Sequence, residues 1–331
     1  MRKTCAILLM LSVLVSASLF AGCAQSAATT RLETTATEMT TAATTSTAAT
    51  ESAPTKISVT DMSGRPVTLD APADKIVALT PSDCEILYAI GAGDTLVGRG
   101  EYCDYPAEVN DLPAVKSGSE TNIEEIIALQ PQVVVMSMMA QTPEQVAALE
   151  KAGIKVVASD ASSVAGVYEA ISLIGAVTGK NQEAGQVIAQ MKATFDEITA
   201  KSDVNNGKTI YFEVSPLQYG LWTAGKGTFM DELAGMLGLT NAFADVEGWG
   251  EITQEQVIER DPDYIVTIAM YFGEGVKPVD EILERDGWQN MKAIKNKMIF
   301  NADSNEISRP GPRLANAIQS LYDFVYPAGG Q

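Results

Sequence analysis

The sequence contains no histidine. That removes Ser-His-Asp and Cys-His nucleophiles, imidazole ligands for zinc, and a histidine ligand for haem iron. Basic residues are scarce as well: 23 Lys and Arg stand against 42 Asp and Glu, for a formal charge of −19. An acidic chain without a basic stripe is unsuited to nucleic acid, whose affinity comes from neutralised phosphates. No carboxylate pair recurs at an acid–base spacing, so a lyase built on Asp160 or Glu213 is the weaker reading and a chain without catalysis the stronger. Aromatic residues make up 6% of the chain and cysteine four positions, whereas 46% is hydrophobic. Its 331 residues suffice for about two domains with a sizeable core.

The amino-terminal stretch reads as address rather than fold. Arg2 and Lys3 precede an apolar run from Ala6 to Phe20, then Ala21, Gly22 and Cys23. So short an apolar core with a small-residue cut site predicts a secretory signal over 1–22, not a spanning helix. The cysteine at the cut resembles a bacterial lipobox, which implies a lipid on Cys23. Residues 24–55 are mostly Thr, Ala and Ser, too poor in large apolar groups to offset ordering entropy, so 23–55 is expected to be a disordered tether. The folded body is then lipid-anchored on the extracytoplasmic face of a cell membrane. Of the remaining cysteines, Cys84 and Cys103 are either joined in a disulfide, which an exported chain permits, or two independent buried thiols.

From Lys56 the pattern alternates. A hairpin over Ile57–Thr60 and Pro66–Leu69 is followed by strands at Lys75–Leu79, Gln132–Met136 and Ile154–Ala158. Helices open at Ser82 with Glu85, Asn122 with Glu125, and Thr142 with Gln145, each pair spaced as a capping box. Strand–helix–strand alternation implies parallel sheets covered by helices. Over 163–203 the apolar positions keep helical spacing, with a soft break at Thr178 and Gly179. Alternation then resumes with strands at Thr209–Val214, Tyr264–Ile268 and Met298–Asn301, helices at Phe229–Leu237 and Thr253–Arg260, and a last helix from Pro312. The fold class is therefore α/β: a lobe over 56–162 and a lobe over 204–331, each with a central, mostly parallel sheet, joined by a single long helical linker over 163–203.

An internal repeat supports two related lobes. Asn122–Val135 aligns without gaps on Thr253–Val266, each with a cap, a glutamate two places on, a proline nine places on, and a strand. Two nucleotide motifs fail. Gly220–Lys226 is one residue short of a phosphate-binding loop and ends in Gly227, where Ser or Thr must hold magnesium. Gly91-Ala-Gly93 lacks a third glycine and follows a helix, so it is a helix stop. Ligands of open parallel sheets sit beyond the carboxyl ends of the strands. Those positions in the first lobe are Pro81, Ser82, Tyr102, Met136, Met138, Met139 and Asp160. In the second they are Ser215, Gln218, Tyr219, Trp222, Met270, Tyr271 and Phe272, with Trp249 and Arg309 on neighbouring loops. Large, soft and aromatic side chains with few polar groups suit a bulky, partly apolar ligand.

The sequence resembles the helix-linked (class III) solute-binding proteins of bacterial ABC importers for cobalamin and ferric siderophores. The markers are Ala78-Leu-Thr-Pro-Ser-Asp-Cys-Glu-Ile-Leu, Val97-Gly-Arg-Gly-Glu-Tyr-Cys-Asp-Tyr-Pro, Asn122-Ile-Glu-Glu-Ile-Ile, Thr223-Ala-Gly-Lys-Gly-Thr-Phe, Trp249-Gly-Glu-Ile-Thr and Ser308-Arg-Pro-Gly-Pro-Arg. The resemblance runs from about Ile57 to Tyr326. It implies capture of a metal chelate between the lobes, with no cofactor of the protein's own, and delivery to an ABC permease with its cytoplasmic ATPase. Glu124 and Glu255 match the family's permease-docking glutamates. Tyr102 and Trp249 match residues that flank the corrin in cobalamin binders, while Gly118 stands where those binders carry a second tryptophan. A corrinoid is the favoured ligand; a ferric siderophore, with Arg309 facing an anionic chelate, or haem are the alternatives. A monomer is expected, and a surface sensory or adhesion lipoprotein is the competing use of the same scaffold.

Overall fold

A computed structural model describes residues 56–138, 142–203, 206–271 and 273–327. The signal over 1–22, Cys23 and the tether to 55 lie outside them, as do Met139 and Phe272. The first lobe begins with strands β1 (Ile57–Thr60) and β2 (Pro66–Leu69), turned by Asp61, whose carboxylate accepts from the Ser63 and Arg65 amides. Its sheet comprises β3 (Ile76–Ala78), β4 (Leu96–Gly100), β5 (Ala114–Val115), β6 (Val133–Met136) and β7 (Lys155–Ala158). They lie in the order β5-β4-β3-β6-β7, all parallel. The connecting helices are α1 (Pro81–Ala89), α2 (Ile123–Ala128) and α3 (Pro143–Lys151).

The stretch expected as one linker helix is two, α4 (Val164–Thr178) and α5 (Asn181–Lys201). Gly179 ends α4 in the left-handed region at φ 72°, and the Lys180 amide returns to the Gly175 carbonyl at 2.7 Å. This glycine closure turns the chain back on itself. Lys192 Nζ then stands 5.0 Å from the Tyr168 ring centroid, and a Cβ on Gly175 would sit 2.6 Å from that of Ala184. Helix α4 packs on α1 and β1.

The second lobe holds β8 (Thr209–Ser215), β9 (Leu221–Ala224), β10 (Thr240–Asn241), β11 (Trp249–Ile252), β12 (Tyr264–Thr267) and β13 (Ile299–Asn301). Its helices are α6 (Phe229–Met236), α7 (Gln254–Arg260), α8 (Pro278–Leu283), α9 (Lys292–Lys295), α10 (Ser304–Ile307) and α11 (Leu314–Val325), with α6 and α11 against α5. The sheet order is β11-β9-β8-β12-β13, with β10 beside the start of β8. Strands β8, β10, β12 and β13 are parallel; β9 runs against them, and β11, antiparallel to β9, runs in their direction.

The two repeat copies take equivalent places. Helix α2 leads into β6 between β3 and β7, and α7 leads into β12 between β8 and β13. At matched positions Gln130 and Asp261 both adopt positive φ, 51° and 44°, just ahead of Pro131 and Pro262. A left-handed non-glycine residue costs roughly 1 kcal/mol, so its recurrence in register marks one architecture used twice. Packing repeats too. Val133 and Val135 of β6, with Tyr264 and Val266 of β12, enter a central core that runs through α4, α5, α6 and α11. Val134 and Met136 face an outer cluster of the first lobe, and Ile265 faces one of the second. Both faces of each sheet are covered, hence the continuous apolar strands. Met136, read as a candidate ligand contact, is therefore core.

Candidate functional site

The carboxyl edges of the two sheets meet. The segment Ser308–Arg313, which follows β13 and α10, lies on the first turn of α1, which follows β3: a Cβ on Gly311 would be 3.8 Å from Ser82 Cα. Arg309 Nη1 reaches Glu85 at 3.1 Å and Asp104, on the loop after β4, at 2.6 Å. Arg313 forks onto Glu85 at 2.9 and 2.6 Å and stacks 4.1 Å from the Tyr105 ring centroid. This overturns two expectations. Arg309 is engaged in an inter-lobe ion network instead of standing free for an anionic ligand. Glu85 caps nothing: α1 has its N-cap at Thr80, two residues ahead of Ser82, so Ser82 and Glu85 lie inside the helix, and the Glu85 carboxylate is engaged across the lobes instead.

Several of the large apolar candidates are left in solvent, and Tyr219, Met270 and Tyr271 among them share one cavity. Tyr219 is 77% exposed, Tyr102 68% and Met270 59%, with Tyr271, Trp222 and Trp249 about two-fifths exposed. A hydrophobic residue left uncovered by a well-packed chain needs a reason, and a cluster of them marks a binding surface. Beside them a cavity of about 960 Å³ opens at the carboxyl ends of β8, β12 and β13. Tyr219, Gln218, Met270 and Tyr271 line it, as do Glu213, Glu274, Glu281 and Ser304. Ser215, Trp222, Trp249, Arg309 and the first-lobe candidates Pro81, Ser82, Tyr102 and Met138 do not. Trp222 projects from β9, and Trp249 packs edge-on against Phe229 with ring centroids 5.6 Å apart. Gly225, in the failed nucleotide motif, is a close-approach glycine: its Cβ would fall 2.0 Å from the Val246 carbonyl oxygen.

Sequence reasoning missed Arg285, which anchors the cavity wall. It is almost fully buried and donates to Glu213 at 2.6 and 2.9 Å and to Glu281 at 2.9 and 2.5 Å, with its carbon 4.6 Å from the Trp288 ring centroid. Burial pushes the Glu213 carboxyl up while the guanidinium pulls it down, and the net direction is upward. Bound in this fork, Glu213 is a structural anion and not a free base.

The first-lobe edge is held by carboxylates as well. Asp160 accepts from the Met138 amide at 2.9 and 3.0 Å and from Ser137 Oγ at 2.5 Å, fixing the turn after β6. Asp83, fully buried in α1, accepts from the Thr80 hydroxyl, and its Oδ1 has no partner. Burial pushes this carboxyl up to about 7, against the hydrogen bonds of Thr80 and Ser159 and aided by Asp160. Cys84 and Cys103 are free, buried thiols, and both sulfurs approach the Ala78 carbonyl, at 3.8 and 3.9 Å. Among the described residues no three Cys, Asp or Glu are placed to hold a metal ion.

Glu124 and Glu255 are exposed and occupy the second position of α2 and α7, where a carboxylate is favoured by the helix dipole. Each helix is capped by the residue two places before, Asn122 or Thr253. Backbone hydrogen bonding, with Thr253, holds the Glu255 carboxyl below its usual range. Each helix runs down to the amino end of the strand after it, so both glutamates stand toward the carboxyl edge of their own sheet.

Residues 76–306 match the family model described as periplasmic binding protein, and the chain belongs to that family. It is 34% identical over 277 residues to an uncharacterized ABC transporter substrate-binding lipoprotein, YvrC, of Bacillus subtilis, covering 82% of this chain and 86% of the relative. A possible iron-binding (periplasmic solute-binding) protein of Staphylococcus epidermidis superposes with a TM-score of 0.67 at 30% identity, over 77% of this chain and 99% of that one. The periplasmic vitamin B12 binding protein BtuF of Vibrio cholerae superposes at 0.64 with 25% identity, over 78% and 99%. The fold is thus that of two-lobed binding proteins, and these relatives are named for binding and transport, not for catalysis.

Proposed function

We propose that this chain is the lipid-anchored substrate-binding protein of an ABC importer that captures a bulky metal chelate between its lobes. The observation that supports the reading is a cavity of about 960 Å³ at the carboxyl edge of the second sheet, lined by the exposed Tyr219, Met270 and Tyr271. Aromatic faces and thioethers supply contact area to a macrocycle or chelate without committing to a hydrogen-bond pattern. A corrinoid is favoured, with Tyr102 and Pro81–Ser82 on one side and Trp249, Trp222, Tyr219 and Tyr271 on the other. Relatives named for vitamin B12 and for iron support both this ligand and its alternative, a ferric siderophore or haem. Cys23 would carry the lipid, and Glu124 and Glu255 would engage the permease, with the cytoplasmic ATPase driving release. Paired charges at matched tips set docking orientation and encounter rate. Titrating the ligand-free protein with cyanocobalamin and with ferric chelates, reading tryptophan fluorescence, tests the reading. Saturation below micromolar by one of them is expected; no response to any would refute it.

A further inference from the structure

We infer that the site selects a neutral or cationic chelate and discriminates against polyanionic ones. The inference rests on the chelate-binding reading and narrows it. Among the described residues three carboxylates, Glu213, Glu274 and Glu281, line the cavity, and no lysine or arginine does. The guanidinium behind them, Arg285, spends four hydrogen bonds on Glu213 and Glu281 and neutralises one charge only. Across the cleft the charges cancel: Arg309 and Arg313 are matched by Glu85 and Asp104. Arg99 keeps its charge, with Nη1 donating to the Gly100 and Glu101 carbonyls, and does not line the cavity. Lys277, exposed ahead of Pro278 at the cavity rim, offsets one of the two remaining carboxylates and leaves the other in excess.

A propionate- or catecholate-bearing guest would therefore enter a negative, partly desolvated pocket without a free cation to receive it. Like charges at such range, only partly screened, weaken binding by on the order of tenfold per pair. Amide-bearing corrinoids and hydroxamate chelates carry no such penalty, and their amide N–H groups or positive charge meet acceptors in Glu274 and Glu281.

Calorimetric titration of the full chain with four probes tests this: cyanocobalamin, the cationic ferric trihydroxamate ferrioxamine B, haemin, and the trianionic ferric tricatecholate of enterobactin. At least one of the first two is expected to bind at least a hundredfold more tightly than either anion. In Glu274→Lys the ratio of anion to neutral-probe affinity should rise at least tenfold. An anion that binds as tightly as the best uncharged or cationic probe, or a ratio unmoved by Glu274→Lys, overturns the inference and leaves the chelate-binding reading intact. No heat from any probe at 100-fold excess refutes that reading itself, and the inference with it.

Discussion

Glu85 carries an unusual burden for one side chain. Its carboxylate is almost completely buried and is met by two guanidinium groups from the opposite lobe. Removing one partner of a buried pair leaves an uncompensated charge, which costs more than the pair contributes. Glu85→Gln is expected to lower stability by about 3 kcal/mol, read as a fall in the midpoint of urea unfolding. Arg309→Lys, which keeps the charge, should cost less. Asp83 supplies a pH signature of its own. Its folded-state pKa of about 7 lies above that of the unfolded chain, so the folded protein retains the proton longer. The resulting stability is fully present below about pH 4 and is lost as pH rises through 7. Asp83→Asn should flatten the wild-type decline between those values, worth about 4 kcal/mol, and raise Tm at pH 7.5. An unchanged slope would show that Asp83 is not its source.

At the scale of elements, what could be read in the sequence was what local chemistry decides. Thr142 and Gln145 form a reciprocal capping box with Pro143 in the first turn, and Asn122 caps α2, as their spacing implies. Ser82 and Glu85 have the same spacing and do not, because Pro81 starts the helix two residues early, with Thr80 as N-cap, leaving the Glu85 side chain to the distant Arg309 and Arg313. Strand β4 carries little apolar signal since Gly98 and Gly100 must be small: a Cβ there would meet Leu129 Cδ1 at 2.5 Å and the Leu79 carbonyl oxygen at 2.3 Å. Strand β9 lay hidden in the glycine-rich stretch that imitates a phosphate loop, and its antiparallel partner β11 in a run with no strand pattern. Gly179 signalled a break but not a reversal, which depends on α4 and α5 burying their faces together. Gly179→Ala is expected to destabilise by roughly 1–2 kcal/mol, from positive φ and the Pro72 side chain 3.0 Å from the added Cβ. Thermal unfolding of the variant measures it. Of the cavity lining, Tyr219, Met270 and Tyr271 were legible by their place after β8 and β12. The buried Arg285–Glu213 fork was not, since only the fold brings the two together.

For the whole molecule, the shared core through α4, α5, α6 and α11 and the ion network of Arg309 and Arg313 tie the lobes at two separate places. Such a body favours capture with limited closure, and the proposed docking role of Glu124 and Glu255 is tested separately from ligand binding. Glu124→Ala combined with Glu255→Ala should abolish uptake in cells and leave the affinity of the purified protein unchanged; loss of both together would contradict the docking role. The central claim, however, is that the guest is held from both sides, and the cavity lies in the second lobe alone. Ligand affinity of Tyr102→Ala and Tyr271→Ala, one from each lobe, addresses this directly when measured beside their Tm. Each substitution is expected to weaken binding at least tenfold with little change in Tm, roughly the contribution of one aromatic contact. Full affinity in Tyr102→Ala, with loss confined to Tyr271→Ala, would mean that the second lobe binds the ligand by itself.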